Sequence, residues 1–330
     1  MLHSKGAPSL YYSQTARKGR DMKKTARTNN SRLLLAIMMA ATLSLAAAAL
    51  PAGATGGEGL IAFESDRGGH ADIWVMRPDG SNAVNLTNDK IEDVFPAWSP
   101  DGTKIAWTRG GRGTAGEIWV MNADGSGKTQ VTFNEFSDYS ATWSSDGTKI
   151  AFRSLRGGNR DIYVINVNGT GEQRLTDHPA IDFAPDWSPD GKSIAFTSER
   201  SGAPAVYTMR PDGRSVRKLT ADSLQAGLSG WSPDGARIVF ADGFCATCGE
   251  SDLFVMNADG GAVTQITDTP ENELAKSWSP DGDQVVSDWS TITRNHLSKG
   301  DIYVFDVDGG GAANLTNSLD VNEQHPDWTS

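Results

Sequence analysis

A tryptophan followed by Ser or Thr returns along this chain at Trp98, Trp143, Trp187, Trp231, Trp278 and Trp328, at separations of 45, 44, 44, 47 and 50 residues. A period of that length corresponds to one four-stranded propeller blade, a unit that cannot bury its apolar face alone and must stack on its neighbours. Residues 184–200 show the pieces. After Trp187, Ser188-Pro189-Asp190-Gly191 specifies a tight turn, in which Pro presets φ and Gly191 takes the positive φ that closes a hairpin. One strand is expected over residues 193–197 and a second, rich in β-branched and aromatic residues, over 205–209. A Pro-Asp-Gly turn at 211–213 then leads to a short outer strand at Lys218-Leu219-Thr220.

The first repeat begins in its middle. Residues 60–64, 72–76 and 85–87 match the second, third and outer strands, and the inner one is missing. It stands instead at the far end, where His325-Pro326-Asp327-Trp328-Thr329-Ser330 supplies a Trp strand with nothing after it. The expected fold is therefore all-β: a six-bladed β-propeller of four-stranded antiparallel blades, its ring closed by the C-terminal strand joining the N-terminal blade. Closure of one strand from one terminus on three from the other leaves no sheet edge open. The blades are expected at 60–87 with 324–330, then 94–132, 139–176, 183–220, 227–267 and 274–316. Residues 55–330 make 276 positions, 46 per blade, which leaves no room for a second domain. The 36 glycines and 10 tryptophans suit many short strands, and no long amphipathic helical pattern follows residue 55.

Residues 1–54 read differently. Lys23 to Arg32 form a basic stretch ahead of an uncharged run from Leu33 to Leu50 that ends at Pro51-Ala52-Gly53-Ala54, a secretory signal with a mature start near Thr55. Met22, directly before two lysines, is the expected start codon, with residues 1–21 lying upstream of it. The competing reading is an uncleaved anchor, since 18 residues are just long enough to span; this is the single route to a membrane. Residues 1–54 hold eight of the 30 Lys and Arg and one of the 41 acids, so residues 55–330 carry 22 basic and 40 acidic side chains, a formal charge of −18. Such a surface repels phosphate backbones, which argues against nucleic acid as a partner. It also keeps a monomer soluble.

The recurring Trp-Ser-Pro-Asp-Gly (98–102, 187–191), Ile-Ala-Phe (150–152, 194–196), Asp-Ile-Trp-Val-Met (72–76), Asp-Gly and Leu-Thr series resembles the β-propeller repeat of the TolB family, over residues 60–330. The resemblance implies the fold, export to the periplasm or beyond, and protein partners. TolB proteins carry an α/β domain ahead of the propeller, whereas here the signal runs directly into the first blade. Some TolB-like propellers are polysaccharide lyases with a His-ligated metal, which supplies the enzymatic alternative to a non-catalytic scaffold.

Strand alternation puts the loops joining strands one to two and three to four on one face, built of uniform Ser-Pro-Asp-Gly and Asp-Gly turns. The other, second face carries the variable loops, the largest being residues 241–251 and 288–300, and function is expected there. Five residues before each Trp stand Asp93, Asp138, Asp182, Ala226, Glu273 and Glu323, so that five acids of six are expected at the channel mouth. They either collect a divalent cation or a basic partner segment, or each caps its own loop. No other cofactor is expected. His70, His296 and His325 fall on second-face loops of adjoining blades, the conceivable metal centre of the enzymatic alternative, although their spacing forms no motif. Cys245 and Cys248 are expected to form a local disulfide in an exported chain. The arginines after the second strands (Arg67, Arg156, Arg200) and the acids leading the third (such as Asp72 and Asp161) are expected to pair within each blade.

Overall fold

The computed structural model describes residues 59–110, 115–243, 251–274, 277–290, 292–293, 296–297, 300–318 and 320–329. The N-terminal segment expected to be a secretory signal, and Cys245 and Cys248 with their expected disulfide, lie outside the described residues. Among those described, no helix is long and apolar enough to cross a membrane.

Six antiparallel sheets follow one another, their strands in the order inner, second, third, outer, five of four strands and the sixth of five, its inner strand being described in two pieces, Asn272–Glu273 and Ser277–Trp278. The fourth blade is typical: Asp182–Trp187, Ile194–Ser198, Ala205–Met209 and Arg217–Lys218. In the first blade Ile61–Ser65 is flanked by Asp72–Met76 on one side and by the C-terminal strand Glu323–Trp328 on the other. Ile61 is directly opposite Trp328, so the closure expected from the sequence is the one observed. Each inner strand contacts the next around the ring, and the last, at Ser277–Trp278, contacts Glu323–Trp328. In the sixth blade the second strand runs on to Ser290, within what the sequence suggested was loop, and Ile292–Thr293 pairs with His296–Leu297 beyond it.

The core lies between the blades. Strand residues alternate, so the β-branched and aromatic positions of one sheet face those of the next. Trp187 packs on Ile162, Val164 and Leu175 of the preceding blade as well as on its own Ile194 and Phe196. Trp328 does the same across the closing seam, against Val286, Ile302 and Val304. The Asp-Gly turns complete this stacking. Gly80 has φ +78°, and a Cβ there would lie 2.2 Å from the Leu315 carbonyl oxygen of the sixth blade.

Two details depart from the sequence expectation. The outer strands end sooner, as at Val84–Asn85 and Arg217–Lys218, because the Leu-Thr motif closes the blade through a side chain. Thr87 Oγ1 accepts the Ile73 N–H at 2.9 Å, and Thr132, Thr176, Thr220, Thr267 and Thr316 do the same for their own third strands. The arginines also choose a different partner. Arg67, Arg109, Arg156 and Arg200 turn inward to Glu323, Asp93, Asp138 and Asp182 on the inner strands. The third-strand acids face outward, Asp72 to Asn85 and Thr87, Asp161 to Arg174. The sequence misassigned these pairs because the two carboxylates flank the second strand on opposite sides.

Candidate functional site: the second-face channel mouth

The inner strands enclose an axial channel, and each begins at the second face with the residue singled out by the repeat. Asp93, Asp138, Asp182, Glu273 and Glu323 all occupy that position, and none has exposed surface. Their backbone N–H groups, with that of Ala226, donate to carbonyls of the preceding blade, for example Asp93 to Ala71 at 2.8 Å and Glu323 to Gly300 at 2.9 Å. Their carboxylates accept from within the seams. Asp93 takes Trp107 Nε1 at 2.8 Å and Arg109 at 2.9 Å; Asp138 takes Arg156 at 2.6 Å and Asn134 at 2.8 Å; Asp182 takes Arg200 at 2.9 Å. Glu323 takes Arg67 and Ser65, and Glu273 takes Thr267 and Thr269. Burial raises the Asp93 carboxyl to about 6 against the pull of Trp107 and Arg109, and raises Glu273 to about 7. Among the described residues, one oxygen of Asp138, Oδ1, and one of Glu323, Oε2, are buried without a partner, while the remaining donors to these acids are already in place and a cation or basic side chain would compete with them.

What faces the mouth comes two residues later. In the first five blades the inner strand is bulged against the second strand, as between Val94 and Ala97, and the bulge puts a non-glycine residue at positive φ: Phe95 (55°), Ser140 (57°), Ala184 (49°), Leu228 (53°) and His325 (52°). Strain repeated at one level of a channel needs support from below. Glu64 Oε2 accepts the Phe95 N–H at 3.1 Å, and Thr197 Oγ1 accepts that of Leu228 at 3.0 Å.

Three of the first-blade to third-blade side chains form an aromatic arc over this level. The His325 ring lies 4.0 Å from that of Phe95, which meets Tyr139 edge-on at 5.9 Å. Beneath His325 the charge is negative: its Nδ1 lies 2.9 Å from Glu64 Oε2, and buried Asp288 is close enough for the imidazole to act on its carboxyl, which burial lifts to about 6. Outside the arc a half-open cavity of about 280 Å³ is lined by Glu64, Asp66, His70, Glu92, Tyr139 and Asn322. At the opposite end of the arc Arg153 stacks over Tyr139 at 5.0 Å.

His70 and His325 thus reach the same face, His70 in the cavity and His325 in the arc. The side chain of His296 lies outside the described residues. Among those described, no group of three or more His, Cys, Asp or Glu has the arrangement to hold a metal ion. On the first face the channel is a different space, a well of about 260 Å³ bordered by all six repeat tryptophans, with Asp186 and Asp327 on opposed blades. Those carboxylates accept the backbone N–H of Trp231 at 2.8 Å and of Trp98 at 2.6 Å, tying each blade to the next.

The second face also carries exposed apolar side chains. Phe133 is 74% exposed, Phe136 48%, Ile91 46% and Leu155 43%, all on the loops entering or within the second and third blades. The Leu155 N–H donates to the Ser137 carbonyl at 3.2 Å, which holds two of these loops together. No repeat signal marks these residues in the sequence, because each stands in a loop that differs from blade to blade.

Comparison with known proteins follows the same lines. A model described as the TolB beta propeller domain matches residues 46–155 and 138–244. A curated relative, Protein TolB homolog of Chlorobaculum tepidum, is 48% identical over 48 residues, 14% of this chain and 11% of that protein. The structure of TolB from Acinetobacter baumannii aligns with a TM-score of 0.69 at 24% identity, covering 82% of this chain and 66% of that one. The chain therefore spans less than two thirds of either TolB protein. Oligogalacturonate lyase from Vibrio parahaemolyticus aligns at 0.55 and 16% identity, covering 78% and 76%, and a chain of a nidogen/laminin complex at 0.60 and 14%, covering 83% and 99%. At these identities the solved structures share the fold.

Proposed function

This chain belongs to the TolB β-propeller domain family, and we propose from that premise that it is an exported, non-catalytic scaffold that docks a segment of a partner protein on its second face. The observation that carries this is the set of four exposed apolar side chains, Ile91, Phe133, Phe136 and Leu155, on second-face loops entering or within the second and third blades. Large apolar side chains scattered singly need no explanation, but four on loops of one face, two of those loops bonded to each other, suit an interaction surface. The mouth on the same face supplies polar contacts, with Glu64, Asp66 and Glu92 around a cavity that fits the basic group of a docked segment. The first face offers uniform turns instead, each closed on itself by bonds such as Ser188 Oγ to Asp190 at 2.7 Å.

Export rests on the basic stretch and apolar run before Thr55. Mass spectrometry of the protein recovered outside the cytoplasm is expected to show an N-terminus near Thr55; a retained Leu33–Leu50 run would replace export with anchoring. The docking proposal is tested by photo-crosslinking from position 133 in living cells. Crosslinks to one partner that vanish in Phe136→Asp and Leu155→Asp are expected, whereas crosslinks indifferent to both substitutions would remove the patch from the argument.

A further inference from the structure

We propose that Arg153 anchors a carboxylate of the docked segment, so that the segment crosses the mouth with an acidic residue on the third blade and its basic residue over the first and sixth. This rests on the docking function proposed above and adds to it the polarity of the partner. Counted from the Ile or Val that opens the apolar run of the second strand, the position is the fourth, opposite the second residue of the third strand. Around the ring it holds Glu64, Thr108, Arg153, Thr197, Ala241 and Asp288. Five of these are buried, and Glu64 and Thr197 serve the strained bulge of the next blade. Arginine has no acceptor to offer there. Its side chain runs instead up into the mouth, where the guanidinium lies over Tyr139 at 5.0 Å and Phe95 at 5.9 Å.

The charge of Arg153 is not neutralised. Arg67, Arg109, Arg156 and Arg200 each hold an inner-strand acid, but among the described residues no carboxylate lies within ion-pair distance of Arg153. Burial, and after it the charge of a second cation, Arg160, brings its pKa down to about 10, which leaves it protonated at neutral pH. In a domain carrying −18, an unpaired cation held at the mouth is a departure from the surrounding field. A guanidinium stacked on aromatic rings keeps its N–H edge free for two parallel bonds to one carboxylate, a geometry that lysine cannot supply. At the other end of the arc Glu64 and Asp288 flank His325. The mouth is thus bipolar, and a segment carrying both signs can lie in one direction only.

The test is selection of phage-displayed random peptides on the immobilised full chain, followed by affinity measurements with synthetic copies. Selected peptides are expected to share an Asp or Glu. Their affinity is expected to fall about tenfold or more on Arg153→Gln, the scale of a charge-assisted hydrogen bond. A peptide with that acid changed to Lys is expected to recover binding on Arg153→Glu. Thermal unfolding of each variant separates a lost contact from a lost fold. Peptides that lose affinity on Tyr139→Ala and Phe95→Ala but not on Arg153→Gln would overturn the anchor and leave docking intact. Peptides indifferent to all three, or a selection that yields none, would overturn docking at the mouth and the anchor with it.

Discussion

Replacing Trp328 by Ala tests whether the last strand closes the ring or merely rests on it. Its side chain is buried in one core cluster with Ile61, Phe63 and Met76 of the first blade and Val286, Ile302 and Val304 of the sixth. Its backbone N–H donates to Ser277 Oγ at 2.9 Å, and the following Thr329 N–H to the Leu60 carbonyl at 2.8 Å. Gly59 sits so close that a Cβ there would come 2.7 Å from Trp328 Nε1, so the neighbours have no room to refill the space except by moving backbone. Truncating a core Trp to Ala costs about 3–5 kcal/mol, and whole domains are stable by about 5–15 kcal/mol. For a chain of this size each kcal/mol moves the melting midpoint by about 2–4 °C, so a fall of roughly 6–20 °C is expected. Trp187→Ala is the comparator, since Trp187 fills the same place in the middle of the chain. Urea titration followed by far-UV circular dichroism gives both midpoints, and an unchanged m-value shows that neither variant has altered the unfolding unit. If Trp328→Ala shifts the midpoint by less than about 1 kcal/mol, as a fraying terminus would, while Trp187→Ala loses the full amount, the closure argument is refuted.

Three further outcomes are expected. Gly80→Ala should cost clearly more than Gly158→Ala: both have positive φ, worth about 1–2 kcal/mol for an L-residue, but a Cβ at 80 meets the Leu315 carbonyl at 2.2 Å and one at 158 meets nothing within 4 Å. Equal midpoints in urea would contradict the turn-to-blade packing. Thr176→Val keeps the shape but removes the acceptor of the Ile162 N–H, 2.9 Å away, and should cost about 1–3 kcal/mol; a neutral result would show that the Leu-Thr clamp is dispensable. Glu273, whose carboxyl is raised to about 7 mainly by burial, binds its proton more tightly folded than unfolded, so stability is expected to fall as pH rises from about 4.5 to about 7. Asp93 and Asp288, raised to about 6, act in the same sense over part of that range, so Glu273→Gln should reduce the slope of a midpoint-against-pH curve, most between about 6 and 7, and an unchanged slope there would contradict the role of Glu273.

The sequence showed the ring because its signals are repeated. The spacing of the tryptophans and the orphan strand at residues 325–330 suffice to place Ile61 beside Trp328. What it hid falls into two kinds. Some features depend on which side of a strand a group faces, such as Arg156 choosing Asp138 over Asp161, or Thr87 acting through its side chain. Others have no residue signature at all. Phe95, Ser140, Ala184, Leu228 and His325 share only a positive φ, and five such different residues in one conformation mean that the bulge is imposed by the ring and not requested locally.

That division also bears on where a partner can be recognised. A position filled alike in every blade offers a ligand on the axis several equivalent poses related by rotation, so it can hold the ring together but cannot orient anything within it. The inner-strand acids come close to this, filling five blades of six with Ala226 in the other, and their buried carboxylates take donors from the seams. Only positions that break the sixfold pattern can select one pose. The second-strand position that Arg153 occupies breaks it most fully, with acid at blades one and six, base at blade three and neutral residues at the others. The chemistry of this propeller should therefore be sought where its repeat fails, at the second-face end of the channel and on the apolar loops of the same face.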